Sequence, residues 1–137
     1  MAFLLDEPAA AEVEIVLRDP QQAATTSALN LAEVVDVMTR IFGRSPTHTM
    51  NGLALLEHGG LRIASVDADI GISAGELHAR HYDRRASPLS MADCIALATA
   101  RQRGEPLATS DPPLAAAARA EGVAIIGLPD AKGRRPL

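Results

Sequence analysis

The chain has 137 residues, of which 47% are apolar, and this is enough for one folded domain with a single core. Its net charge of −4 excludes a general basic coat protein for nucleic acids, although acids gathered around a metal ion would themselves lower this total. No apolar run approaches the ~18 residues of a membrane span, and the single cysteine, Cys94, excludes an internal disulfide. We therefore expect a soluble protein of the reducing cytoplasm.

The first half of the chain combines predicted helices with short predicted strands. Pro8 stands in the first turn of a helix, and β-branched residues indicate a strand over 22–27. Apolar residues at steps of three and four predict a helix over 29–42. A further helix is predicted over 45–59, and a strand follows over 61–66.

The second half alternates more regularly between helices and strands. The predicted elements are a helix begun by Asp67 or Asp69, a charged loop over 83–87, a helix over 90–103, a strand over 107–111, a helix over 114–120, a strand over 123–128 and a loose tail over 129–137. This alternation predicts an α/β fold, a three-layer sandwich in which a mostly parallel sheet carries helices on both faces. Because no linker or internal repeat interrupts the pattern, residues 1–137 are predicted to form one domain.

Three acids stand where such a fold places its ligand sites. Asp93 lies in the opening turn of a helix, and Asp111 ends a strand. The carboxyl end of a strand and the amino end of a neighbouring helix share one rim of an α/β sheet. Glu33 follows the strand that ends at Ser27 and can reach the same rim. Each aspartate also has a structural interpretation, because Ser90 with Asp93 forms a capping box and Asp111 before two prolines can cap the next helix.

The chemistry of these side chains favours a divalent cation. Hard oxygen ligands suit Mg²⁺ or Mn²⁺, which keep several waters and accept a substrate phosphate as a ligand. Such a site lowers the pKa of a bound water and stabilises the charge of an in-line phosphoryl displacement. Thr109 points to the same side of its strand as Asp111 and is predicted to support a metal-bound water. Arg84 and Arg85, in the charged loop, are candidates for contact with phosphate, although a solvated loop is the simpler interpretation.

The segments that carry these acids resemble the PIN-domain ribonucleases, and among them the VapC-type toxins of bacterial toxin–antitoxin pairs. The similar segments lie at residues 2–8, 26–34, 88–94, 107–111 and 122–126. The resemblance implies metal-dependent hydrolysis of RNA phosphodiester bonds, with Glu33, Asp93 and Asp111 as metal ligands and catalytic residues. It also implies a homodimer that a small antitoxin protein silences.

The chain departs from the family pattern at its first residues. Family members begin with a hydrophobic strand that ends in an Asp-x-Ser-like motif, just upstream of the segment at 3–8, and this chain starts after that point. We expect either that the natural start lies upstream and supplies a further Asp, or that the strands around Thr25 and Ala108 pair directly. Without that first Asp, the chain is expected to bind metal weakly and to cleave RNA poorly.

Other classes of protein remain as alternatives. One is a degenerate, non-catalytic PIN-like module that binds an antitoxin or RNA. Another is a receiver-like signalling domain, which is disfavoured because no acid suited to accept phosphate ends an early strand. His78 and His81 could pair on a transition metal, but with no third ligand an exposed helix face is favoured.

Two further expectations concern apolar residues. Cys94 lies inside an apolar helix, so a buried, inert thiol is favoured over a nucleophile. Leu53, Leu55, Leu56 and Ile72 exceed what the core needs, and we expect part of this surface to form a homodimer contact or an antitoxin groove.

Overall fold

A computed structural model describes residues 4, 8–18 and 24–136 of the chain. The chain separates into two compact units, residues 1–64 and 65–137. The predicted α/β class is confirmed, with helices alternating with short parallel strands. The segment at 2–7, apart from Leu4, and the start of the predicted strand at 22–23 lie outside the described residues. None of the described helices combines the length and the apolar character that crossing a membrane requires.

The first unit contains three helices and one pair of strands among its described residues. Its elements in chain order are α1 (Ala10–Arg18), β1 (Thr25–Ser27), α2 (Ala28–Arg40), α3 (Pro46–His58) and β2 (Arg62–Ala64). β1 and β2 are parallel, with Thr25 opposite Arg62 and Ser27 opposite Ala64. Among the described residues both strands are shorter than predicted, because Ala24, Leu61, Ser65 and Val66 lie outside the ladder.

Serine hydroxyl groups begin two helices of this unit. Ser27 Oγ accepts the N–H of Asn30 at 3.1 Å, and Ser45 Oγ accepts the N–H of His48 at 3.1 Å. Each bond satisfies an amide that has no partner within its own helix. Pro46 follows Ser45 in the first turn, where its missing N–H costs no hydrogen bond. These local signals explain why the predicted helix starts agree with the observed ones.

The apolar face predicted for α2 is only partly buried. Met38 is 1% exposed, whereas Ile41, the next apolar residue at a step of three, is 60% exposed because it already forms the C-cap of the helix. In α3, Leu53 is 5% exposed and Thr49 is also buried. Leu53 therefore belongs to the core, and its prediction as surplus surface is wrong, whereas Leu55 is 71% exposed.

The second unit carries the larger set of buried side chains. Its elements are α4 (Ala68–His81), α5 (Met91–Arg103), β3 (Leu107–Thr109), α6 (Pro112–Ala120) and β4 (Ile125–Gly127). β3 and β4 are parallel, with Leu107 opposite Ile125 and Thr109 opposite Gly127. Thus the described strands form two separate two-stranded parallel sheets, and no other strand pairing occurs among them.

The core of the second unit forms where α4 packs against α5 and where α6 and β3 close over them. Its buried residues are Ile70, Ala74, Leu77, Leu89, Cys94, Ile95, Leu97, Ala98, Ala100, Leu107, Leu114, Ala117, Ala118 and Val123. The pKa of Cys94 is raised by burial and, to a smaller extent, by the charge of Asp93. The prediction of a buried thiol is therefore confirmed.

Helix boundaries in the second unit follow the predicted signals. Asp67 Oδ1 accepts the N–H of Ile70 at 2.9 Å, so Asp67 and not Asp69 caps α4. Gly104 ends α5 with φ of 64°, a left-handed conformation that side chains disfavour. The turn at Gly104 sends the chain directly into β3.

Candidate active site

Asp93 completes a capping box at the start of α5. Ser90 Oγ accepts the N–H of Asp93 at 3.1 Å, and Asp93 Oδ2 accepts the N–H of Ser90 at 2.8 Å. The Ser90 hydroxyl also lies 2.7 Å from Asp93 Oδ2 and donates to it. The carboxylate thus sits at the positive end of the helix dipole and satisfies a free amide. The structural interpretation of Asp93 is confirmed.

Asp111 caps α6 and is itself held by Thr109. Asp111 Oδ2 accepts the N–H of Leu114 at 2.9 Å, and the N–H of Asp111 donates to Thr109 Oγ1 at 3.0 Å. Thr109 is 7% exposed, so its hydroxyl fixes the backbone of Asp111 from a buried position. Here too the structural interpretation is confirmed, while the role of Thr109 beside a metal-bound water stays a prediction.

The capping hydrogen bonds leave lone pairs free on the carboxylates of Asp93 and Asp111. The hydrogen bonds that the two carboxylates accept, as described above, all go to Oδ2 of Asp93 and Oδ2 of Asp111. An ionised carboxylate has about four lone-pair sites on its two oxygens, so a cap leaves capacity for a metal ion. Asp93 is half-buried and Asp111 is exposed, so solvent reaches both. Capping and metal binding are compatible roles for the same side chains.

Glu33 belongs to the first unit and the two aspartates to the second. Glu33 lies in the second turn of α2 and is exposed. Its convergence with Asp93 and Asp111 stays a prediction. Within the part of the chain that the structure describes, no group of three or more His, Cys, Asp or Glu side chains is arranged to hold a metal ion.

Arg84 and Arg85 lie in a tight turn between α4 and α5. Asp83 and Ser87 bridge across this turn, and Asp83 Oδ1 accepts the N–H groups of Arg85 and Ala86, each at 2.8 Å. The bond from Ala86, and then that from Arg85, holds the pKa of Asp83 below its ordinary value. Both arginines are exposed on this fixed backbone. The arrangement suits contact with phosphate, and that contact stays a prediction.

The sequence did not indicate the ion-pair cluster around Glu121, at the C-terminus of α6. Arg80 Nη1 and His81 Nε2 lie 2.5 and 2.6 Å from Glu121 Oε1, and Arg101 Nη1 donates to Oε2 at 2.9 Å. Arg101 also donates to the hydroxyl of Ser73 at 2.7 Å. The cluster therefore ties the ends of three helices together, over sequence separations of 20 to 41 residues that no local pattern reveals.

His78 and His81 are each committed to other contacts. His81 faces Glu121, and because an ionised carboxylate only accepts hydrogen bonds, Nε2 must carry the proton in that contact. The His78 ring stacks on Tyr82, with ring centroids 4.6 Å apart. The two residues are half-buried and not simply an exposed helix face.

Replacing Glu121 by Gln is expected to lower the free energy of unfolding by about 1.5–3 kcal/mol near neutral pH, because hydrogen bonds to charged groups are removed from a side chain only 9% exposed. The contact with His81, followed by that with Arg80, holds the pKa of Glu121 below its ordinary value. The stabilisation that Glu121 provides is therefore fully present above about pH 4.3, the pKa of a glutamate in the unfolded chain. It is lost as the pH falls through the lower pKa of Glu121 in the folded protein.

Urea unfolding at several pH values checks this expectation. The difference in stability between wild type and Glu121→Gln should shrink as the solution becomes more acidic than about pH 4. Glu76→Gln, an exposed glutamate on α4, is the matched control and should change little at any pH. A difference that stays constant across the acid range would contradict the role assigned to Glu121.

A comparison with protein families identifies the class to which this architecture belongs. The PIN domain model matches residues 1–120, and the chain therefore belongs to the PIN domain family. PIN domains are generally nucleases and typically use divalent metal ions. The matched residues include all three predicted acids, the whole of the first unit and the second unit up to residue 120. No curated protein matches the chain.

Proposed function

We propose that the chain is a metal-dependent endoribonuclease that hydrolyses RNA phosphodiester bonds, as the cytoplasmic toxin of a VapBC-like toxin–antitoxin pair. The observation that carries this proposal is the PIN domain match, whose span includes Glu33, Asp93 and Asp111. The nuclease class follows from the family, whereas the RNA substrate and the toxin role rest on the resemblance of the motif segments.

The topology of the second unit supports a shared position for the two aspartates. α5 leads through the turn at Gly104 into β3, and the helix packs against the strand that follows it. A helix and strand joined in this way run in opposite directions, so the start of α5 and the end of β3 face the same end of the unit. Asp93 stands at the first position and Asp111 just beyond the second.

The donor chemistry fits Mg²⁺ or Mn²⁺. Glu33, Asp93 and Asp111 would hold the ion, since all three are oxygen ligands of the kind that these cations prefer. When bound, the ion supplies a nucleophile at neutral pH and neutralises charge on the reacting phosphate. The capping box at Ser90 and the hydroxyl of Thr109 fix the backbones that carry the two aspartates. Arg84 and Arg85 would bind substrate phosphate from the neighbouring turn.

Exposed apolar residues support the proposed protein partners. Leu55 of the first unit is 71% exposed and Ile72 of the second is 64% exposed. Large apolar side chains that stand this far out of the core are candidates for contact with another protein. We propose that they take part in a homodimer contact or in the binding of the small antitoxin.

The direct test incubates the full chain with a single-stranded RNA oligonucleotide in Mn²⁺, in Mg²⁺ and in EDTA. Internal cleavage that depends on the metal is expected, at a low rate. Growth arrest on induction of the chain, relieved by co-expression of a small partner that co-purifies with it, is expected for the toxin role. RNA binding without cleavage in either metal would instead support the second candidate, a non-catalytic module in which Asp93 and Asp111 serve only as helix caps.

A further inference from the structure

The C-terminal residues 129–136, which we name the basic turn, pack back onto the end of β4. The sequence predicts a loose tail here, but Pro136 is buried and its ring lies 3.7 Å from where a side chain on Gly127 would begin. Arg135 Nη1 also donates to the carbonyl oxygen of Gly127 at 2.5 Å. The turn is therefore anchored at the last residue of the strand.

A single carboxylate organises the backbone of the basic turn. Asp130 Oδ1 accepts the N–H groups of Lys132 and Arg134, each at 2.8 Å, and Arg134 Nε donates to Oδ2 at 2.9 Å. The exposed cations of the turn are Lys132, Arg134 and Arg135, against the one carboxylate of Asp130. A local excess of positive charge thus stands out in a chain whose net charge is −4.

The basic turn lies at the same edge of the β3–β4 sheet as Asp111. Gly127, to which Arg135 is bonded, is the ladder partner of Thr109, and the N–H of Leu128 donates to the Thr109 carbonyl at 2.9 Å. Thr109 in turn accepts the N–H of Asp111 through its hydroxyl. Neighbouring strands are about 4.8 Å apart, so the anchor of the turn at Gly127 lies roughly one strand spacing from Thr109, two residues before the candidate acid Asp111.

We propose that the basic turn binds the phosphate backbone of RNA beside Asp111 and positions the strand for cleavage. This inference rests on the proposed function. The turn lies beyond residues 1–120, the part of the chain that matches the family model, so the family match does not supply this role. Cations that hold flanking phosphates would offset the repulsion between the acids and a polyanionic substrate. Lys132, Arg134 and Arg135 are positioning residues and do not touch the reacting atoms.

The test compares RNA affinity and cleavage for the full-length wild type and variants of the turn. Lys132→Gln removes a charge while its backbone N–H still bonds Asp130, and the triple variant Lys132→Gln, Arg134→Gln, Arg135→Gln removes all three. Arg103→Gln is the matched control, because Arg103 is paired with Glu105 before β3 begins, at the opposite end of the strand from Asp111.

We expect the triple variant to bind single-stranded RNA at least about tenfold more weakly, with Lys132→Gln intermediate and Arg103→Gln unchanged. The slope of log affinity against log salt should fall by about 0.7 for each phosphate that the variant no longer neutralises. KM should rise while kcat stays near wild type, because these cations hold bound substrate and transition state alike. A structural role alone would not change the salt slope.

The outcomes separate this inference from the proposed function. Wild type that cleaves RNA, with affinity, salt slope and KM unchanged in the triple variant, would overturn the role of the turn and leave the nuclease standing. Wild type that binds RNA through the turn without cleaving it in any metal would overturn the nuclease and support the turn. Wild type without measurable RNA binding at low salt would overturn the inference as well.

Discussion

Asp111→Asn is expected to reduce Mn²⁺-dependent RNA cleavage by about 100-fold, or to the level seen in EDTA, while the melting temperature changes little. Asparagine caps helices as well as aspartate does, so its side-chain oxygen can still accept the N–H of Leu114. What the substitution removes is the negative charge that a cation needs. The variant therefore separates the capping role from the metal-binding role of one side chain.

The chain offers a matched control for this substitution in Asp67. Asp67 caps α4 with the same geometry, accepting the N–H of Ile70 at 2.9 Å, as Asp111 accepts that of Leu114 at 2.9 Å. Both substitutions should cost only the charge–dipole contribution, about 0.3–1 kcal/mol. Asp67→Asn should keep full cleavage activity. If Asp111→Asn also keeps it, Asp111 is a helix cap and nothing more.

Leu97→Ala is expected to lower the free energy of unfolding by about 2–5 kcal/mol, because it removes a large side chain from a core that cannot close the resulting cavity. Leu97 is 1% exposed and lies in α5, within the buried core of the second unit. Denaturation followed by circular dichroism measures the loss. The Cys94 thiol, also fully buried, should become reactive in the same transition.

Leu53→Ala extends this experiment to the first unit, where Leu53 is 5% exposed. One family model matches residues on both sides of the boundary between 64 and 65, so we expect one cooperative transition that both substitutions shift. Two transitions, each sensitive to only one of the substitutions, would contradict the prediction of a single domain over 1–137.

Local features of the fold were predictable because they depend on neighbouring residues. Ser45, Ser90 and Asp111 begin helices as expected, and Gly104 ends one, since caps and left-handed turns are decided within about four residues. Strand ends were overestimated, because the extent of a strand is set by the partner with which it pairs. Burial was predicted less well, as the exposed Ile41 shows.

Long-range features were beyond the sequence pattern. Glu121 forms ion pairs with Arg80 and Arg101, which lie on two other helices, and no sequence pattern near Glu121 indicates either pair. The basic turn was expected to be loose because the ends of a chain are usually poorly ordered, while its anchors at Gly127 depend on the folded sheet. The candidate ligands were identifiable by residue type, whereas their convergence depends on tertiary structure.

Titration of the full chain with Mn²⁺, followed by electron paramagnetic resonance of the free ion, tests the central claim that Glu33, Asp93 and Asp111 share one cation. We expect a single site of weak affinity, reduced at least about tenfold by each of Glu33→Gln, Asp93→Asn and Asp111→Asn. Asp36→Asn, which removes a carboxylate paired with Arg40 on the same helix as Glu33, should bind as wild type does. Unchanged affinity in Glu33→Gln, with loss in the two aspartate variants, would show that Glu33 does not join the site and would contradict the account.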